Sequence, residues 1–149
     1  MKQFKFQLET LLRMRRLQQE EAQMRLVQAT SRYQIELTAL ERLENEQKMQ
    51  LAQFRAEQSK RQTIDTLKNY YFYFDKLNVS ITVQQEQVEA ADQQRCHCLT
   101  ELAAATTKLK LVEKLKEKRL AEYKAEMLQQ DQKLLDELGM QVFMRNRQV

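Results

Sequence analysis

One glycine and no proline occur in 149 residues. A globular domain uses about 7% glycine and about 5% proline, much of it at turns, so a chain with only Gly139 to break its path can turn very few times. It must run in a small number of long elements. The residues that dominate the rest (Gln, Glu, Lys, Arg, Leu and Ala) are strong helix formers. The expectation is an all-α chain: a long antiparallel two-helix coiled coil, or helical hairpin. Each helix then buries one stripe, and stability is spread along a seam instead of gathered in a compact core.

The first helix shows an apolar rhythm of three and four residues through Leu8, Leu12, Ala22, Leu26, Ala29, Tyr33, Leu40, Leu43, Leu51 and Phe54. Arg15, Gln19, Glu36 and Gln47 interrupt it, so it is no strict heptad zipper. Such imperfection suits a hairpin, where the turn sets the register, better than a long parallel dimer. The rhythm lapses from Gln58 to Asp65, a polar run in which Ser59, Thr63 and Asp65 are all helix-capping types. The chain therefore reads as one domain over 1–149, with a first helix over about 3–58, a tip at about 59–65 and a second helix over about 66–139. Thr63 or Asp65 would cap the second helix. Asp75 to Ser80 is a competing tip, less favoured because the apolar rhythm passes straight through it. Gly139 is placed to end the second helix, leaving 140–149 as a frayed or partner-ordered tail. The second helix is the longer, so part of it must overhang the pairing.

The run Tyr70-Tyr71-Phe72-Tyr73-Phe74 resembles a β-strand until its angles are followed. At about 100° per residue, Tyr70, Phe74, Leu77, Ile81 and Val88 fall within roughly 60° of one another and form a helical seam. Phe72, Val79 and Val83 cluster about 180° away. A two-helix hairpin covers one stripe only, so the leftover apolar stripe is either covered by a neighbouring turn or molecule, or is a partner-binding surface, as exposed apolar patches of this kind usually are.

The net charge is +4, from 25 basic and 21 acidic residues, too mild to indicate nucleic acid by itself. Its distribution says more. Lys2, Lys5, Arg13, Arg15 and Arg16 face only Glu9 near the start, and Lys108, Lys110, Lys114, Lys116, Lys118, Arg119 and Lys124 outnumber Glu113, Glu117 and Glu122 near the end. An antiparallel fold brings both clusters to one pole, where they read as a solvated surface or as a dock for an acidic protein surface. A nucleic-acid partner is not expected, because no helix is rich in base-reading residues. Cys96 and Cys98 flank His97, the single histidine, but on a helix the two thiols point about 200° apart and cannot grip one ion. No metal and no cofactor are expected. No nucleophile, base and oxyanion donor converge, and no glycine-rich phosphate loop occurs, so no catalytic residues are assigned and the chain reads as a binding protein, not an enzyme. No stretch approaches the roughly 20 apolar residues of a membrane span. The first twelve residues carry Gln7 and Glu9 among their apolar positions and lack a small-residue cleavage site, so a cytosolic product without direct membrane insertion is expected.

The opening Phe4-Lys5-Phe6-Gln7-Leu8-Glu9-Thr10-Leu11-Leu12-Arg13 resembles the Phe-x-Phe-x-Leu-x-x-Leu-Leu start of the bacterial flagellar export family FliJ. Asp131-Gln132-Lys133-Leu134-Leu135-Asp136-Glu137, followed by Phe143-Met144-Arg145, is similar to that family's C-terminal pattern; between the ends the likeness is one of character. The resemblance implies a role in flagellar type III protein export, as a coiled-coil stalk similar to that of rotary ATPases. It implies two partners, the hexameric export ATPase and the cytoplasmic domain of the export gate membrane protein, with export chaperones as further candidates. It also implies a cytoplasmic location, peripheral to the inner membrane at the flagellar base. The basic pole (Arg13, Arg15, Arg16, Lys116, Lys118 and Arg119) is then the candidate ATPase contact. Phe72, Tyr73, Leu77, Val79 and Val83 are the candidate contact for the gate or another partner. Tyr73 and Leu77 fall where the family uses an aromatic and a leucine for the gate, while Ser80 and Gln84 depart from its next contact positions. The alternative is a coiled-coil chaperone or scaffold for export substrates, gripping a substrate helix on the Phe72/Val79/Val83 stripe.

Overall fold

The computed structural model describes residues 3–147. Met1, Lys2, Gln148 and Val149 lie outside them, and with them one member of the basic cluster and the last two residues of the expected tail. The described residues form two helices, α1 (Glu9–Glu57) and α2 (Ile64–Arg147), and no strand. The fold is an all-α helical hairpin.

The turn between the helices is polar and locally hydrogen-bonded. The Gln58 N–H donates to the Phe54 carbonyl at 3.0 Å and the Lys60 N–H to the Glu57 carbonyl at 3.0 Å, while the Ser59 hydroxyl donates to the Ala56 carbonyl at 3.0 Å. These bonds satisfy carbonyls that the last turn of α1 would leave open. Thr63 is the N-cap of α2: its Oγ1 accepts the Thr66 N–H at 3.4 Å, and Asp65 in the first turn complements the helix dipole. Asp75 to Ser80 is unbroken helix.

Two expectations from sequence are corrected. Gly139 does not end the second helix, which continues to Arg147. A glycine stops a helix by taking a left-handed backbone, and among the described residues no glycine has positive φ. Nothing lies within 4 Å of a Cβ built on Gly139, so the position is an exposed helix interior. Arg145 and Arg147, in the last turn, suit the negative end of the dipole. The first helix begins at Glu9 instead of about residue 3, because Phe4 and Phe6 are drawn inward at alternate positions, a spacing of two that a helix cannot satisfy.

The inter-helix contacts divide the chain into two units, Glu20–Ala104 and the remainder on either side of it. Within Glu20–Ala104, α1 and α2 run antiparallel over buried Ala22, Ala29, Leu77, Ile81, Ala91 and Cys98. Near the turn, Phe54 meets Tyr70 and Phe74 edge-on, with ring centroids 5.1 and 6.1 Å apart. Seam positions that carry polar residues are paired across the helices. The Gln84 amide donates to the Glu36 carboxylate at 2.6 Å and to its carbonyl at 2.9 Å. The Gln47 amide donates to Asn78 Oδ1 at 2.5 Å. In the other unit, also antiparallel, Leu12 is fully buried against Leu109 and Val112, with Phe6 and Leu11 packed alongside. Gln19 donates to the Thr106 hydroxyl at 3.3 Å, and Lys116 pairs with Glu9 at 2.9 Å. Beyond Met127 every described residue of α2 is exposed.

Candidate partner-binding surfaces

The six basic residues singled out from sequence all fall in the unit that holds both chain ends. Arg13, Arg16 and Lys118 are exposed. The other three are engaged within the chain. Arg15 donates to the Gln18 side chain at 3.0 Å, Arg119 pairs with Glu122 at 3.2 Å, and Lys116 spans the helices to Glu9. The hydrogen bond from Lys116 holds the Glu9 carboxyl below the usual carboxylate range, against an opposing effect of burial; the charges of Lys116, Arg13 and Arg16 act in the same direction as the bond. Lys116 is thus a structural clamp first, and the free positive surface is carried by Arg13, Arg16 and Lys118.

The second group separates into two faces of α2. Phe72 is 68% exposed, and Val79 and Val83 are also open, with Tyr71 beside them. Leu77 is 6% exposed and sits in the seam, so it is unavailable to a partner; its place in the contact group is corrected. The reason is angular: Leu77 shares the inward direction of Tyr70, Phe74 and Ile81. Tyr73 stands at the margin, half-buried, its ring edge-on to Phe74 and its hydroxyl donating to the Glu46 carboxylate. Tyr70 likewise donates to Glu57 at 2.5 Å. In both cases the carboxylate acceptor first, and burial second, raises the tyrosine pKa above its ordinary value.

Sequence reasoning missed two surfaces. The segment ahead of α1 lays Phe4 and Phe6 on α2, which the alternation Phe4-x-Phe6-x-Leu8 signals. The α2 extension exposes Leu128, Leu134, Leu135, Leu138 and Phe143, of which Phe143 lies beyond the helix end expected at Gly139. Cys98 is buried and Cys96 exposed, on different sides of α2, and His97 lies 3.2 Å from Glu101. No group of three or more His, Cys, Asp or Glu side chains among the described residues could hold a metal ion. No helix among the described residues is long and apolar enough to cross a membrane.

These features define a coiled-coil hairpin whose distinguishing surfaces are an outward apolar stripe, a basic flank and an unpaired helical end. The chain belongs to the flagellar FliJ family: the family described as "Flagellar FliJ protein" matches residues 4–148. It is accordingly a component of flagellar type III protein export. The same fold occurs in the structure of a YscO homolog from Chlamydia trachomatis, 18% identical, with a TM-score of 0.56 over 98% of this chain and 99% of that one. No curated protein matches the sequence.

Proposed function

We propose that this chain is a non-enzymatic stalk that binds and activates the hexameric export ATPase and links it to the export gate. Family membership supplies the setting. The observation that carries the ATPase contact is the exposure of Arg13, Arg16 and Lys118 in the unit that also holds the unpaired end of α2. Three outward cations beside a protruding helix suit an acidic, ring-shaped partner, which they would attract over about a Debye length. Reversing all three (Arg13→Glu, Arg16→Glu, Lys118→Glu) tests this. Single exposed ion pairs contribute about 0–1 kcal/mol each, so the triple change should weaken ATPase binding roughly tenfold and leave helicity intact. The unmodified complex should weaken as salt rises. Undiminished ATPase stimulation by the triple variant would overturn the charge argument.

The gate contact in this reading lies on Phe72, Tyr73, Val79 and Val83, without Leu77. Through it the chain would sit in the cytoplasm against the inner membrane at the flagellar base. The same exposed stripe favours a second reading, a chaperone or scaffold that holds export substrates or their chaperones. Serine at Phe72 and Val83 distinguishes them. Loss of gate binding with substrate binding retained supports the stalk, and the reverse supports the chaperone.

A further inference from the structure

Residues 3–8 precede α1 and are held against α2 by side chains. Phe4 and Phe6 are half-buried while Lys5 and Gln7 are exposed, the alternation of an extended segment. The Phe4 ring lies 5.5 Å from that of Tyr123, tilted by 48°. Phe6 packs on the Leu12–Leu109–Val112 cluster, with Lys116 Nζ 5.9 Å from its ring centroid. Leu115 and Arg119 complete the groove. Two local bonds tie the segment to the helix start: the Glu9 N–H donates to the Phe6 carbonyl at 3.3 Å and the Leu12 N–H to that of Leu8 at 2.9 Å. Immediately behind, Glu9 is clamped to Lys116 at 2.9 Å. The buried Leu12–Leu109–Val112 packing joins α1 to α2 behind the segment, with the Lys116–Glu9 pair beside it, so the segment can lift while the helices stay paired.

We propose that residues 3–8 are a releasable strap: an internal ligand in a groove of α2 that accepts extended segments bearing aromatic residues two positions apart. The strap itself displays the chemistry of the occupant, two rings on one side of an extended backbone, Phe4 and Phe6, ahead of the turn at Gln7 and the exposed Leu8. Being tethered, it holds the groove at an effective concentration of about a millimolar. An outside segment therefore enters only when the strap is weakened or the ligand is abundant.

The probe is a fluorescent peptide, Gln-Phe-Gln-Phe-Gln-Leu-Glu, which is the sequence of residues 3–9 with glutamine for the lysine. The full chain carrying Phe4→Ser and Phe6→Ser should keep its helicity and bind this peptide at least tenfold more tightly than the unmodified chain. The control carrying Lys5→Ser and Gln7→Ser, at outward positions, should leave binding at the unmodified level. Equal binding by the Phe4/Phe6 variant and the unmodified chain would overturn the proposal, as would no binding by a helical Phe4/Phe6 variant. Loss of helicity in that variant would overturn it too, because the hairpin would then depend on the segment. A second readout uses the unmodified chain: millimolar peptide should accelerate tryptic cleavage after Lys5 severalfold by displacing the strap, and an unchanged rate refutes displacement.

Discussion

Replacing Leu77 by alanine and Val79 by serine tests the division of α2 into an inner and an outer face. The two residues are two helical steps, about 200°, apart, and their exposures are 6% and 58%. Leu77→Ala removes three carbons from the seam, worth about 2.4 kcal/mol at about 0.8 kcal/mol each. A further cavity term applies in closed cores, where such changes cost about 2–5 kcal/mol. A two-helix seam has solvent on both flanks, so the space left by Leu77 fills with water or closes and the cost stays near about 2–3 kcal/mol. Val79→Ser alters a side chain that water already reaches, and such changes fall within about 0.5 kcal/mol. Urea unfolding followed by circular dichroism at 222 nm reads the difference. With a slope of about 2 kcal/mol per molar, Leu77→Ala should lower the midpoint by about 1–1.5 M and Val79→Ser by no more than about 0.25 M. Equal shifts would refute the two-face reading, and with it the assignment of Phe72, Val79 and Val83 to a partner.

The polar seam positions give a second test. Gln84→Leu alone leaves the half-buried Glu36 without its donor and should cost about 1 kcal/mol, whereas leucine at both positions should be neutral or stabilising in the same urea assay. Glu9, whose carboxyl is lowered by Lys116, contributes stability that is present above the unfolded value of about 4.3 and lost as pH falls through the lower folded value. The unmodified chain should therefore lose stability on acidification more steeply than Glu9→Gln, and parallel curves would contradict the clamp. Tyr70 and Tyr73 are raised by carboxylate acceptors, so their contribution is complete below about pH 10 and fades as pH rises through the folded values. Absorbance at 295 nm should show a late tyrosine phase that Tyr70→Phe/Tyr73→Phe removes.

The two-helix architecture was legible because almost nothing in the sequence could break a helix, and the inner face of α2 because its apolar residues keep one angular direction. Finer matters turned on pairing, which a single helix does not reveal. Glu36 and Gln47 read as interruptions of the α1 stripe, yet both are seam positions made acceptable by Gln84 and Asn78 on the other helix. Gly139 looked like a stop because glycine is common there. Whether it stops a helix depends on φ, and helix formers from Met140 onward keep it helical. Leu77 was assigned to a partner by resemblance and to the seam by its angle, and burial follows the angle. Lys116 belongs to the basic cluster by sequence, but its charge is taken up by Glu9 on the other helix. Phe4 and Phe6 were read as a motif, but their packing on Tyr123 and Leu109 depends on where α2 passes.

The end of α2 beyond Met127 is a single helix of roughly 20 residues, about 30 Å long. Free helices near that length are marginal because nucleation carries a weight of about 0.001. This one is nucleated already, since the paired part of α2 feeds into it, and each further residue needs only propagation, with a factor of about 1–1.6. Its melting is therefore a zipper that opens from Arg147 inward, gradual in temperature, with no sharp midpoint of its own. Gly139 divides that zipper. In place of alanine it costs about 1 kcal/mol, which multiplies the weight of states frayed back past it by about five. Helical signal should then drain from the segment on warming before the seam unfolds. A partner that grips Phe143 must hold the helix closed across Gly139, and so gives up part of its binding free energy to the helix–coil balance at that one residue.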